Sequence, residues 1–295
     1  MEPIRDQEDC RIYKYLDTID SYAAIDNKTV DDALERIIIQ NEISIDALQK
    51  IYSCIDLTTL KNEDNEESVL ALTEKINNLC NEHPNIKNVA SICIFPYFTK
   101  LVSESLEVDQ VKITVVSGGF PYSQTYMEVK TVETKLALLD GADEIDIVMP
   151  LGLFEDGNWE ELSDQIGEIK EICGEKTLKV ILQTGLMKDA KTIKQAALLA
   201  MYSGADFIKT STGKDGDIAT PQAVLVMCRA IKEYYTRTGR KVGIKVAGGM
   251  KSVKDAFMFY SIVEKELGKE WLDKEYLRFG TSSVADKILE LILNQ

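Results

Sequence analysis

The chain has 295 residues, 45% of them hydrophobic, enough to bury one large core or two ordinary ones. Its formal net charge of −15 argues against a nucleic-acid partner, which would demand a basic surplus, but leaves room for a small anion collected by local lysines and amides. No run of about 18 uninterrupted apolar residues appears, and no basic stretch precedes an apolar one at the start, so neither a membrane span nor a secretion signal is expected and the reading is cytoplasmic.

In chain order, residues 1–50 read as a helical extension, with a helix over "TVDDALERIIIQ" (29–40) that has Asp31 and Asp32 near its N-terminus. It is expected to cover the bottom of the main domain or to support a subunit contact. Eight short apolar, β-branched runs follow within residues 51–295: 51–57, 89–95, 111–117, 144–150, 178–184, 206–212, 242–248 and 276–282. Between them lie amphipathic stretches such as "WEELSDQIGEIKEIC", several closing on a glycine (Gly141, Gly204, Gly239) suited to a left-handed helix end. Strands apolar on both faces that alternate with helices eight times predict an α/β fold, a (β/α)8 TIM barrel with an N-terminal helical extension. A doubly wound open sheet is the competing architecture.

Cysteine and histidine usage narrows the chemistry. The six cysteines are scattered without a CxxC pair and read as reduced thiols, and His83 is the only histidine, in a polar loop before Pro84. Imidazole-dependent triads and His-rich metal sites are therefore excluded, and acid–base work falls to Lys, Asp, Glu or Tyr.

In barrels the working side chains come from the C-terminal ends of the strands. The polar residues there are Asp56, Thr58 and Thr59 after the first strand, Asp146 in the fourth, Lys209 in the sixth, Lys245 in the seventh, and Gly280, Ser282 and Ser283 after the eighth. Parallel neighbours lie about 4.8 Å apart, so Lys209 and Lys245 should crowd each other in a partly dry barrel mouth. Repulsion and burial both disfavour the charged form. Bringing one amine from about 10.4 to about 7 costs its ammonium form about 4 to 5 kcal/mol, within reach of a buried site. The neutral amine could then attack a carbonyl to form a Schiff base. Asp146 would take or relay protons. The bland alternative is a structural Lys209–Asp146 ion pair. Glycines in "STGK" (Thr212, Gly213, Lys214), "AGG" (Gly248, Gly249) and "RFGTSS" (Gly280, Ser282, Ser283) follow three consecutive strands and suggest a phosphate cradle of backbone N–H groups.

Carried by "DLTTL" (56–60), "ICIFP" (92–96), "GADEIDIV" (141–148), "GADFIKTSTGK" (204–214), "GIKVAGG" (243–249) and "RFGTSS" (278–283), the chain resembles the class I, Schiff-base deoxyribose-phosphate aldolases. The resemblance implies Lys209 as the Schiff-base lysine, Lys245 as its perturbing neighbour and Asp146 as proton relay. It also implies substrate and phosphate contacts from Asp56, Thr58, Thr212, Gly213, Lys214, Gly248, Gly249, Gly280, Ser282 and Ser283. The implied reaction is reversible cleavage of 2-deoxy-D-ribose 5-phosphate to acetaldehyde and D-glyceraldehyde 3-phosphate, with no metal or organic cofactor. The implied partners are a small sugar phosphate, aldehydes and a second copy in a homodimer. Three departures bear on rate and preference: Val246 where a proline is common, Gln183 where an acid is common, and a tail without a terminal tyrosine. A rival class is a barrel that binds a sugar phosphate without turnover, and a third reading keeps the Schiff base but changes the sugar.

Overall fold

A computed structural model describes residues 15, 16, 18–37 and 43–294. Eight parallel strands close into one barrel in sequence order. They are β1 (Ile55–Thr58), β2 (Ser91–Ile94), β3 (Lys112–Ser117), β4 (Glu144–Val148), β5 (Thr177–Ile181), β6 (Phe207–Lys209), β7 (Gly243–Ala247) and β8 (Leu277–Thr281). Asp56 faces Gly280 across the closing seam. The open-sheet alternative is thereby set aside.

Helices alternate with the strands: α1 (Asn27–Leu34) and α2 (Ile45–Ser53) come first, then α3 (Glu66–Glu82), α4 (Thr99–Ser105) and α5 (Met127–Leu139). Next are α6 (Leu151–Glu155), α7 (Trp159–Cys173), α8 (Ala190–Tyr202), α9 (Pro221–Thr238), α10 (Val253–Leu267) and α11 (Val284–Leu293). The start signals are local. Asn65 and Ser252 build capping boxes on α3 and α10, and Thr220 caps α9, whose first residue is Pro221. Gly239 ends α9 in the left-handed region, as its place in the sequence predicts. None of the helices among the described residues is long and apolar enough to cross a membrane.

Strand parity separates two interiors. Outward residues such as Ile145 and Ile147 of β4, Val180 of β5, Ile208 of β6 and Ile244 of β7 join the helices in the main hydrophobic core. Inward residues of the same strands carry charge. The expectation of strands apolar on both faces is corrected here: the helix layer demands an apolar outer face, but the inner face needs only partners for what it buries, and it has them. At the floor, Gly243 makes room for Phe207, because a Cβ on it would come within 2.3 Å of that ring.

The N-terminal part also differs from expectation. The helix predicted over 29–40 begins earlier, at Asn27 behind an Asp26 cap, so Asp31 and Asp32 fall in its second turn, and its predicted end at 38–40 lies outside the described residues. The extension runs along the barrel's flank: Tyr15 stacks on Tyr202 of α8, Arg237 of α9 lies over the Tyr22 ring, and Asn27 accepts the Ala190 N–H. The first predicted strand starts too early, since residues 51–53 close α2, which packs beside α10 and α11.

Candidate active site

The C-terminal rim holds a cavity of about 260 Å³. Of the residues singled out from sequence, Lys209, Thr58, Thr212, Gly213, Lys214, Gly248, Gly249, Gly280, Ser282 and Ser283 all line it. Asp146, Lys245 and Asp56 lie beneath its floor, each with no solvent exposure. The placement of Asp56 among substrate contacts is revised on that ground: its carboxylate is turned inward, 2.5 Å from Lys245 Nζ and 2.7 Å from Arg278 Nη1.

Three loops build the cradle, and each is held by a specific contact. The loop after β6 is pinned by buried Asp217, which accepts the Thr212 and Gly185 backbone N–H groups at 2.7 and 3.1 Å. Lys214 crosses the cavity to donate to the Leu60 carbonyl. After β7, Gly248 has φ +84°, and a Cβ there would lie 2.9 Å from the Asp217 carbonyl oxygen, so the loop accepts only glycine at that approach. After β8, Ser282 and Ser283 precede α11, whose N-terminus faces the cavity, with Thr281 Oγ1 accepting the Ser283 and Val284 N–H groups. Amides, a helix N-terminus and a lysine converging on one concavity suit a phosphate-sized anion.

An apolar cluster adjoins the cavity at Leu60. Leu60, Cys93 and Val116 pack with Phe95 and Phe120, and the Phe120 ring centroid lies 6.0 Å from Lys209 Nζ. The same loop reaches over the mouth: Tyr122 donates a 2.5 Å hydrogen bond to Asp215, next to Lys214.

Below the cavity lies an ionic network larger than the sequence suggested. Lys209 and Lys245 both donate to Asp146 Oδ2, at 3.0 and 2.8 Å. Lys179 of β5 approaches Asp146 Oδ1 at 3.0 Å and Glu144 at 2.6 Å. Arg278 of β8 clasps Glu144 and Asp56, each at 2.7 Å. Lys179, Glu144 and Arg278 were missed from sequence. Their signal was present: Lys179 and Arg278 are each a single charge set among apolar strand residues, and Glu144 shares the parity of Asp146.

Four cations (Lys179, Lys209, Lys245, Arg278) face three carboxylates (Asp56, Glu144, Asp146), so a fully charged network carries one surplus positive charge. Lys209 is where that surplus is least supported. Burial lowers its pKa, Asp146 opposes the shift, and Lys245 adds to it, leaving the amine below the ordinary lysine range. For Lys245, burial is outweighed by Asp146 and Asp56, which push its pKa up. Lys179 is raised likewise, against burial, by Asp146, Glu144 and Asp56. Burial alone would raise the carboxylates, yet Lys179, Lys245 and Lys209 hold Asp146 well below its usual range, and Lys179 with Arg278 holds Glu144 at about 2. The anticipated crowding of two amines is thus mediated by a shared carboxylate oxygen, and of the two it is Lys209, which opens onto the cavity, whose pKa is lowered.

A closed parallel barrel whose rim joins an anion cradle to an amine of this kind has the build of an aldolase-type lyase. Comparison with known proteins makes the assignment particular. The pattern of the DeoC/LacD family aldolases matches residues 50–269. The deoxyribose-phosphate aldolase of Homo sapiens is 38% identical over 251 residues, 82% of this chain and 79% of that protein. That of Bos taurus is 38% identical over 247 residues, 80% and 78% of the two chains. A solved structure described as a unique tetrameric deoxyribose phosphate aldolase from Aeropyrum pernix superposes with a TM-score of 0.63 at 28% identity, covering 82% of this chain and 91% of that one. The chain belongs to the DeoC/LacD aldolase family, within its deoxyribose-phosphate aldolases, and is a carbon–carbon lyase.

Proposed function

We propose that the enzyme reversibly cleaves 2-deoxy-D-ribose 5-phosphate to acetaldehyde and D-glyceraldehyde 3-phosphate through a Schiff base on Lys209. The observation that carries this reading is the position of Lys209 at the floor of the cradle-lined cavity, where burial and Lys245 lower its pKa. The cradle formed by Gly213, Lys214, Gly248, Gly249, Gly280, Ser282 and Ser283, with Thr58 and Thr212 beside it, receives the phosphate, and the open-chain sugar extends toward Lys209.

The neutral Lys209 amine attacks C1, and loss of water gives the iminium. A base removes the C3 hydroxyl proton, the C2–C3 bond breaks, and its electron pair flows into the iminium to leave an enamine and glyceraldehyde 3-phosphate. Protonation of the enamine at C2 and hydrolysis release acetaldehyde and return the amine. Asp146, 3.0 Å from Lys209 Nζ, exchanges these protons through water, and Lys245 stays a cation that disfavours a second one on Lys209. The apolar cluster of Val116 and Phe120 near Lys209 suits the methyl end of the acetaldehyde fragment.

Consumption of a deoxyribose phosphate fits a catabolic role, and the five described cysteines, all unpaired, fit a reducing cytoplasmic setting. Incubation with acetaldehyde and borohydride should leave an N-ethyl group on Lys209 by peptide mapping, absent in Lys209→Ala. An unmodified Lys209, or an adduct on another lysine only, overturns the assignment.

A further inference from the structure

Lys214 can serve an anion only if no carboxylate claims it first, yet two follow it in the same loop, Asp215 and Asp217. A carboxylate so close harms an anion site twice: it repels the ligand, and it competes for the lysine. Asp217 is buried and committed, accepting the Thr212 and Gly185 backbone N–H groups and the Thr212 hydroxyl. Asp215 has no such duty. It is exposed, stands at φ +50° directly beside Lys214, and among the described residues its hydrogen-bond partner is the Tyr122 phenol, 2.5 Å from Oδ2. Lys214 donates instead to the Leu60 carbonyl, a neutral acceptor that a phosphate displaces more readily than it would a carboxylate.

Tyr122 comes from the other side of the mouth, on the loop after β3, and the turn that carries it is braced. The Gly119 carbonyl accepts the Tyr122 and Ser123 N–H groups at 3.1 and 2.9 Å, and Glu133 of α5 accepts the Gly119 N–H at 3.0 Å. Buried Lys130 donates to Ser123 Oγ at 2.8 Å and to Gln165 of α7 at 3.1 Å. The hydrogen bond to Asp215, and that carboxylate's charge, raise the Tyr122 phenol above its ordinary pKa, so the phenol remains a donor. A fixed donor thus meets an exposed carboxylate that the cradle is better without. We propose that Tyr122 is a positioning residue for the phosphate cradle: it holds the Asp215 carboxylate away from Lys214 and so keeps that ammonium available to a phosphate. The inference rests on the cradle reading given under the proposed function.

Steady-state kinetics of full-chain variants on 2-deoxyribose 5-phosphate and on unphosphorylated 2-deoxyribose test it. Tyr122→Phe keeps the ring and removes the hydroxyl. It should raise KM for the phosphorylated sugar by about fivefold with kcat unchanged, and leave kcat/KM for 2-deoxyribose as it was. Asp215→Asn suits the same left-handed backbone, removes the charge, and should restore the KM when added to Tyr122→Phe. A contact that only braced the two loops would leave the double variant no better than Tyr122→Phe. An unmoved KM in Tyr122→Phe, an equal loss on both sugars, or no recovery on adding Asp215→Asn overturns the proposal. Thermal unfolding with added inorganic phosphate needs no turnover and separates the two readings. A wild type that phosphate does not stabilise overturns the cradle reading and this inference together, whereas wild type and Tyr122→Phe stabilised equally overturn this inference alone.

Discussion

Lys209 and Lys245 share one oxygen of Asp146, yet their pKa values move in opposite directions. The difference lies in the second carboxylate: Asp56 stands 2.5 Å from Lys245, while among the described residues Asp146 is the one carboxylate paired with Lys209. Replacing Lys245 by Met removes a nearby positive charge and frees Asp146 for Lys209, and both changes favour the Lys209 ammonium. The acid limb of kcat/KM should therefore move to higher pH by about one unit or more, which a pH–rate profile checks; an unmoved limb would separate Lys245 from the tuning of Lys209. Lys209, Lys245 and Asp146 were legible in the sequence because each breaks an apolar strand near its C-terminal end. Glu144 and Arg278 lie nearer the N-terminal ends of their strands, where a charge ordinarily faces solvent, Lys179 sits mid-strand level with Asp146, and nothing short of the closed barrel turns the three into one another's partners.

The strands are legible as elements because their outer faces must meet helices, and that requirement writes Ile, Val and Leu at every second position. What the inner faces hold depends on which residues meet across the barrel, a long-range matter. Gly243 of β7 illustrates it: alone it reads as a weak spot in a strand, whereas in the barrel it is the space that Phe207 of β6 occupies. Gly243→Ala should cost about 2 to 3 kcal/mol in urea unfolding through overpacking, and Phe207→Leu in the same chain should recover part of it. No recovery would mean that the backbone, not the ring, sets the requirement. The cradle loops were legible through their glycines, while the apolar cluster beside them was hidden, since Cys93 and Val116 look like ordinary strand residues until the barrel turns them inward.

Across the whole molecule the buried network links stability to pH in two windows. Asp56, Glu144 and Asp146 titrate below their unfolded values of about 4, so their contribution is complete above about pH 5 and is lost progressively as pH falls through their lowered folded values. Lys209 behaves in the other sense: with a folded pKa below the unfolded value of about 10.4, the unfolded chain binds more protons between the two, and stability rises with pH there. Urea midpoints should fall steeply under acid conditions in the wild type, and a midpoint rise as pH climbs toward the unfolded lysine value of about 10.4 should be lost in Lys209→Met. A wild type with no such rise would show that Lys209 stays protonated. The same partition between sealed floor and open rim bears on the ions of the surrounding buffer. Sodium and chloride can shield Lys214 and the serine-lined loop, but no route leads them to Asp146. Raising ionic strength should therefore weaken capture of the anionic substrate while turnover of what is captured continues at its former pace.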